Sequence, residues 1–164
     1  MKKLFAICIL SIIAFANATY LTLQNYRIEN ATNKWEISSF CDLNNVFSCT
    51  NVLSSPYSKV SFSILTGKAD STLPFTAIAM FVYPIIFLIA FLGTQWIIKK
   101  PFYFLAWMWI WWILFNGFFI SQEYLYIWAY CPLCIICTWI IITILILSII
   151  GISSDFWKGK KMKK

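Results

Sequence analysis

The 164-residue chain is 61% hydrophobic and 20% aromatic but only 12% charged, a balance that a soluble domain of this size could not bury. Its net charge of +7 comes with no histidine, and the placement of the charges decides what they mean. A nucleic-acid binder would cluster base with polar or stacking residues on a soluble domain; here the lysines flank apolar runs, which points to membrane topology.

Four runs have the roughly 20 residues that a helix needs to cross about 30 Å of hydrocarbon: Leu4 to Leu23, Pro74 to Ile98, Phe102 to Ser121 and Cys131 to Ile152. The expected fold class is therefore an all-α, four-span membrane bundle in a single domain over residues 1–164. With the N-terminus inside, Lys2, Lys3, Lys99, Lys100, Lys158, Lys160, Lys161, Lys163 and Lys164 share one side, and Arg27, Lys34, Lys59 and Lys68 fall on the other. That distribution obeys the positive-inside rule and puts both termini in the cytoplasm. Glu29, Glu36, Asp42, Asp70 and Glu123 fall outside.

The first run, "MKKLFAICILSIIAFANA", has the basic start and small-residue end of a signal peptide. Its apolar character continues through Tyr20, Leu21 and Leu23, so the segment is expected to stay as an anchor. Gln24 to Leu73 follows as the one sizeable outer segment, too short and polar for its own core. Its serines, asparagines and Pro56 predict loop and short helix. The remaining connections are brief, Lys99-Lys100-Pro101 inside and about ten residues around Glu123 outside.

Four of the six cysteines fall on or near the outer face, Cys41, Cys49, Cys131 and Cys134, whereas Cys8 and Cys137 lie within spans. An oxidising compartment makes disulfides available to the outer four. In "AYCPLCIICTWI" the spacing of Cys131 and Cys134 sets both on one helix face a turn apart, within reach of a disulfide. Pro132 suits a first helical turn. The helix start favours a thiolate at Cys131, the species that attacks disulfides. Cys41 and Cys49 enclose seven residues of an outer loop, where a disulfide would be accessible to another protein. A static staple needs one pair. Two pairs on one face fit a relay by thiol–disulfide exchange, which requires no histidine base. A structural zinc site would draw on two tight C-x(2–4)-C spacings, and just one is present. A transporter would place an ionisable residue within a span, and spans two to four hold none, although Glu123 stands near an outer mouth.

A membrane relay must unload two electrons, yet the chain has no dinucleotide fingerprint, no haem-attachment C-x-x-C-H and no histidine for haem. A lipid-soluble quinone remains, and its pocket would need aromatic walls and one or two hydrogen-bond donors. The third span, "WMWIWWILFNGFF", carries Trp107, Trp109, Trp111 and Trp112 close to mid-membrane, with Asn116 at a depth where polar groups are scarce. Packing and an interfacial belt are the plainer use of these rings. Trp112 and Asn116 are nevertheless candidate quinone contacts, and Cys137 is expected to pack.

Cys41-x7-Cys49, then "NVLSSPYSK" with Ser55 six residues past the second cysteine, and the late Cys131-x-x-Cys134 together resemble the vitamin K epoxide reductase (VKOR) family, across essentially the whole chain. The resemblance implies a four-helix bundle around a quinone, capped by the outer loop and a short helix. It implies that Cys134 stands beside the quinone, that Cys131 exchanges with Cys49, and that Cys41 faces a soluble donor. Ser55 matches the family's serine near the pocket; Leu53 and Tyr57 match bulky cap positions. Two matches fail: Thr138 stands where some members have tyrosine, and Phe75 or Thr76 where they have asparagine. These departures point away from a dedicated vitamin K epoxide reductase and toward the bacterial-type members, which oxidise periplasmic thioredoxin-like carriers. The implied cofactor is a quinone of the ubiquinone or menaquinone type. The implied location is a bacterial inner membrane, with the endoplasmic reticulum as the alternative. Since the sequence ends at Lys164, the carrier is expected to be a separate protein. The DsbB-type quinone-linked oxidases place the C-x-x-C early and the loop pair late, the reverse of the order here.

Overall fold

A computed structural model describes residues 2–30, 40–44, 46–61, 72–98 and 100–161. Lys34, Glu36, Lys68, Asp70, Lys99, Lys163 and Lys164, which entered the topology argument, lie outside the described residues. Four long helices form the bundle: α1 (Lys2–Asn30), α3 (Phe75–Thr94), α4 (Pro101–Gln122) and α5 (Pro132–Lys161), with the short α2 (Cys49–Ser54) between the first two. All four long helices are long and apolar enough to cross a membrane. They make a multi-pass membrane protein.

The helices close a ring in which α1 packs along α3, α3 meets α4, α4 lies on α5 and α5 returns to α1. Small residues let α1 and α3 approach: Ala14 and Ala18 on one, Ala79 and Ala90 on the other, are buried among Ile7, Tyr83 and Ile86. Gly93 does the same between α3 and α4, where a Cβ would stand 2.7 Å from Pro101. The tryptophans of α4 divide by helical phase. Trp109 and Trp112 are buried, whereas Trp107 and Trp111 are 65% and 61% exposed on the outer wall, where lipid would cover them.

Two features depart from the sequence expectation. Helix α1 runs to Asn30 rather than ending near Leu23, because Gln24 and Asn25 are buried and used: Asn25 Nδ2 donates to the Leu53 carbonyl at 3.4 Å, joining α1 to α2. The outer segment also contains a small antiparallel hairpin, β1 (Lys59–Ser61) with β2 (Thr72–Pro74), in the register Val60 opposite Leu73. β-Branched Val60 and Thr72 suit it. A Lys59–Glu29 ion pair at 2.6 Å ties this hairpin to the end of α1.

Candidate functional site

The cap begins as a tight turn. Asn44 Oδ1 accepts the N–H groups of Val46 and Phe47 at 2.9 and 2.7 Å, and the Leu43 N–H donates to the Phe47 carbonyl at 2.9 Å. Ser48 then takes an extended conformation and caps α2, its hydroxyl oxygen accepting the Asn51 N–H at 3.2 Å. The Asp42 carboxylate braces the same start, accepting the Ser48 hydroxyl at 2.8 Å, the Thr50 N–H at 3.0 Å and the Thr50 hydroxyl. Cys49 is thereby fixed as the first residue of α2.

A backbone clip brings the two cysteine-bearing segments together. The Tyr130 N–H donates to the Val46 carbonyl at 2.7 Å and the Ser48 N–H to the Tyr130 carbonyl at 3.0 Å, within a parallel bridge between Phe47 and Tyr130. Ser48 precedes Cys49 and Tyr130 precedes Cys131, so the clip sets these cysteines side by side. Cys41 and Cys49 are joined as a disulfide. The Cys131 thiol points at it, Sγ to Sγ 2.9 Å from Cys49. Cys134, a free thiol one turn further into α5, interacts with Cys131 side chain to side chain. The four sulfurs form one line from the cap into the bundle.

The cap pair is not accessible as the sequence reading expected: Cys41 is 4% exposed and Cys49 is fully buried. Leu21 and Ile28 of α1, Val52 and Leu53 of α2, and Ala129 pack with both cysteines into a second apolar core. The reason is the overrun of α1, which carries its apolar face up beside the loop.

Between α4 and α5 the chain makes a wide π-helical turn, Glu123–Ile127, closed by Trp128 in the left-handed conformation (φ 55°) with its N–H on the Glu123 carbonyl at 3.0 Å. Such turns are rare and gather at functional sites. This one leaves Glu123 inside, 6% exposed, its Oε2 accepting the Cys131 N–H at 3.4 Å. That N–H is one of the orphan donors of a helix start.

Cys134 opens onto two adjoining cavities. One lies under the cap and is lined by Leu53, Tyr57, Phe75, Thr76, Phe119 and Glu123 among others. The deeper one also has Phe75 and Thr76 in its wall and reaches Ala79, Tyr83 and Cys137. Thr76 is 5% exposed, and its hydroxyl has no hydrogen-bond partner among the described residues.

The remaining sequence candidates stand around this cavity in different ways. Leu53 and Tyr57 are in its wall. Ser55 is one step back: its hydroxyl oxygen accepts the Tyr57 N–H at 3.2 Å and starts the 3-10 turn Pro56–Ser58. Trp112 lies behind the wall, stacked on Phe75 with ring centroids 5.6 Å apart. Asn116 is buried against α5, its side-chain oxygen 3.3 Å from the Thr138 hydroxyl, which also donates to the Cys134 carbonyl at 2.9 Å. Cys137 accepts a hydrogen bond from Asn17 Nδ2 at 3.0 Å. Sequence reasoning passed over Glu123 as a site residue and weighed Thr76 only as a departure. The available signals were an acid beside a span mouth and a hydroxyl where the family pattern places an amide. Among the described residues, no three His, Cys, Asp or Glu side chains converge so as to hold a metal ion.

No curated protein matches the chain. The model of the Vitamin K epoxide reductase family matches residues 5–149, a stretch that holds all four cysteines of the line, the cap and the bundle. The chain therefore belongs to the vitamin K epoxide reductase (VKOR) family of membrane oxidoreductases.

Proposed function

We propose that this protein is a quinone-linked thiol oxidase that reoxidises a thioredoxin-like disulfide carrier and so supports disulfide formation. The observation that carries this reading is the line of sulfurs, with Cys131 Sγ 2.9 Å from Cys49 at one end and Cys134 facing an apolar cavity at the other. A reduced carrier attacks Cys41, displacing Cys49 as a thiol, and the carrier's second thiol then attacks the mixed disulfide, so that the carrier leaves oxidised and Cys41 is freed as a thiol. Cys49 attacks the oxidised Cys131–Cys134 pair at Cys131, freeing the Cys134 thiol. Cys41 then displaces Cys131, which restores the Cys41–Cys49 disulfide and leaves both inner cysteines reduced.

The residues around Cys134 fit a quinone. Phe75, Phe119 and Tyr57 supply flat apolar walls, and the unpartnered Thr76 hydroxyl is a donor for a carbonyl oxygen. A bound quinone supplies an acceptor for two electrons and two protons at the level of the membrane. Leu53 closes the cavity from above, Ser55 sets the Tyr57 backbone, and Asn116 and Trp112 hold Thr138 and Phe75 from behind.

On this reading the protein sits in a bacterial inner membrane, with the endoplasmic reticulum as the alternative, and the lysine excess on one side supports cytoplasmic termini with the cap on the opposite face. Phe40 and Leu43, 73% and 72% exposed on either side of Cys41 and Asp42, offer an apolar landing face for the carrier. Because Cys41 is buried, docking must also shift part of the cap.

Quinone absorbance, followed with the purified protein and reduced carrier, tests the whole reading. The wild type should reduce quinone and the Cys134→Ala variant should fall to background, a loss of at least about 10⁴-fold; undiminished reduction by that variant overturns the reading. Incubated with oxidised carrier, the Cys49→Ser variant should retain it as a mixed disulfide through Cys41.

A further inference from the structure

A buried carboxyl inside a membrane protein is expensive unless something pairs with it. Glu123 is 6% exposed, and no Lys or Arg among the described residues forms an ion pair with it. Its one hydrogen bond from the backbone is the long contact from the Cys131 N–H. The π-helical turn and the left-handed Trp128 hold it inward at further cost to the backbone.

Glu123 shares the cavity wall with Cys134, and the two side chains are close enough to interact. The other groups there cannot take a proton from a thiol. Ser58 has its hydroxyl committed to the carbonyls of Leu53 and Ser55 at 3.1 and 2.8 Å; Thr76 offers a neutral hydroxyl; the chain has no histidine. The titratable groups facing Glu123 are Cys131 just before α5, Cys134 in its first turn and Tyr57 from the 3-10 turn. From α2 come Val52 and Leu53, and from α3 come Phe75 and Thr76, none of which carries a charge.

Resting on the quinone-linked reading above, we propose that Glu123 is a catalytic acid–base group that takes the proton of the Cys134 thiol and passes it on toward the quinone. Each turnover breaks the S–H bonds of Cys131 and Cys134, forms one S–S bond between them and releases two electrons and two protons, which convert quinone to quinol. Glu123 carries the proton from Cys134 across the cavity and returns to its starting form, so the balance is unchanged. A carboxyl at this place gives a histidine-free site the one base it otherwise lacks.

The test uses the full chain in detergent, reduced at Cys131 and Cys134 and mixed with a short-chain quinone, with quinone absorbance followed from mildly acidic to alkaline pH. Glu123→Gln keeps an acceptor for the Cys131 N–H but cannot take a proton. It should slow quinone reduction roughly a hundredfold near neutral pH and recover as hydroxide replaces the base. Alkylation of Cys134 by a small iodoacetamide supplies a readout apart from turnover. It should be as fast as in the wild type or faster, because a negative neighbour is gone, whereas a merely structural role would disturb labelling and turnover together. Glu123→Asp, which retains a carboxyl, should keep a pH-dependent rate between the two and serves if the glutamine variant does not fold. Quinone reduction by Glu123→Gln within about threefold of wild type at all pH values overturns the inference. So does a parallel loss of labelling and turnover in both variants. Failure of the wild type to reduce quinone instead sinks the quinone-linked reading itself.

Discussion

The bundle and the cap are held together by different physics. In the bundle the contacts are between apolar side chains and small residues: Ala14, Ala18, Ala79 and Ala90 bring helices close, and Trp109, Tyr83 and Ile141 fill what remains. In the cap a disulfide, an Asx turn, a capped helix start and a two-bond backbone clip fix chain that has few residues to bury. The difference teaches where a relay can be built. Packing alone positions a face, whereas directional bonds position an atom, and Cys49 must be held to within a bond length of where Cys131 can reach it. Cys134, on the bundle side, needs only a cavity.

The comparison predicts that each region can be damaged without the other, and the bundle should show the larger effect. At Gly151 of α5 a Cβ would run into the Phe102 ring of α4. Neither the ring nor the helix axis can yield cheaply in a packed core, so Gly151→Val should destabilise the bundle by about 3 kcal/mol. Thermal unfolding in detergent measures it. Crosslinking between Cys49 and Cys131 below the transition should be retained, because the clip lies at the opposite end of α5; early loss of that crosslink would show the two regions to be one cooperative unit.

Particular residues show how far the sequence carried the structure. The four spans and the order of the cysteine pairs were legible because apolar length and cysteine spacing are local properties. The end of α1 was not: Gln24 and Asn25 look like a water boundary, and the partner that lets Asn25 stay buried, the Leu53 carbonyl, is 28 residues away. Glu123 was legible as an acid near a span mouth but not as a cavity residue, since the π-helical turn shifts the helical phase that decides which side it faces. The tryptophans of α4 separated only once that phase was known, Trp109 and Trp112 inward and Trp107 and Trp111 outward. A three-residue strand such as Val60's is too short for any period to announce it.

Within the cap, Asp42 should matter next. Its carboxylate gathers the Ser48 hydroxyl and both donors of Thr50 at the start of α2. Asp42→Ala removes them together and should cost about 1–2 kcal/mol of local order. The bundle should unfold at its usual temperature. The loss should appear as slower Cys49–Cys131 exchange and as faster hydrogen exchange at Thr50 and Asn51. If the global unfolding temperature falls as far as it does for Gly151→Val, the cap is not the separable unit described here.

The smallest effect belongs to the Lys59–Glu29 pair, which spans the two regions by joining the hairpin to the end of α1. Its side chains are 28% and 44% exposed, so water and salt screen it, and Glu29→Gln should cost no more than about 0.5 kcal/mol. The physical interest lies in its salt dependence. The bonds at Asp42 are short and partly buried, and should be indifferent to ionic strength, whereas whatever the Lys59–Glu29 pair contributes should fade as salt is raised. Comparing carrier oxidation by the wild type and Glu29→Gln at low and high salt separates the two. A difference that persists at high salt would mean that Glu29 acts through the packing of α1 against the hairpin rather than through its charge.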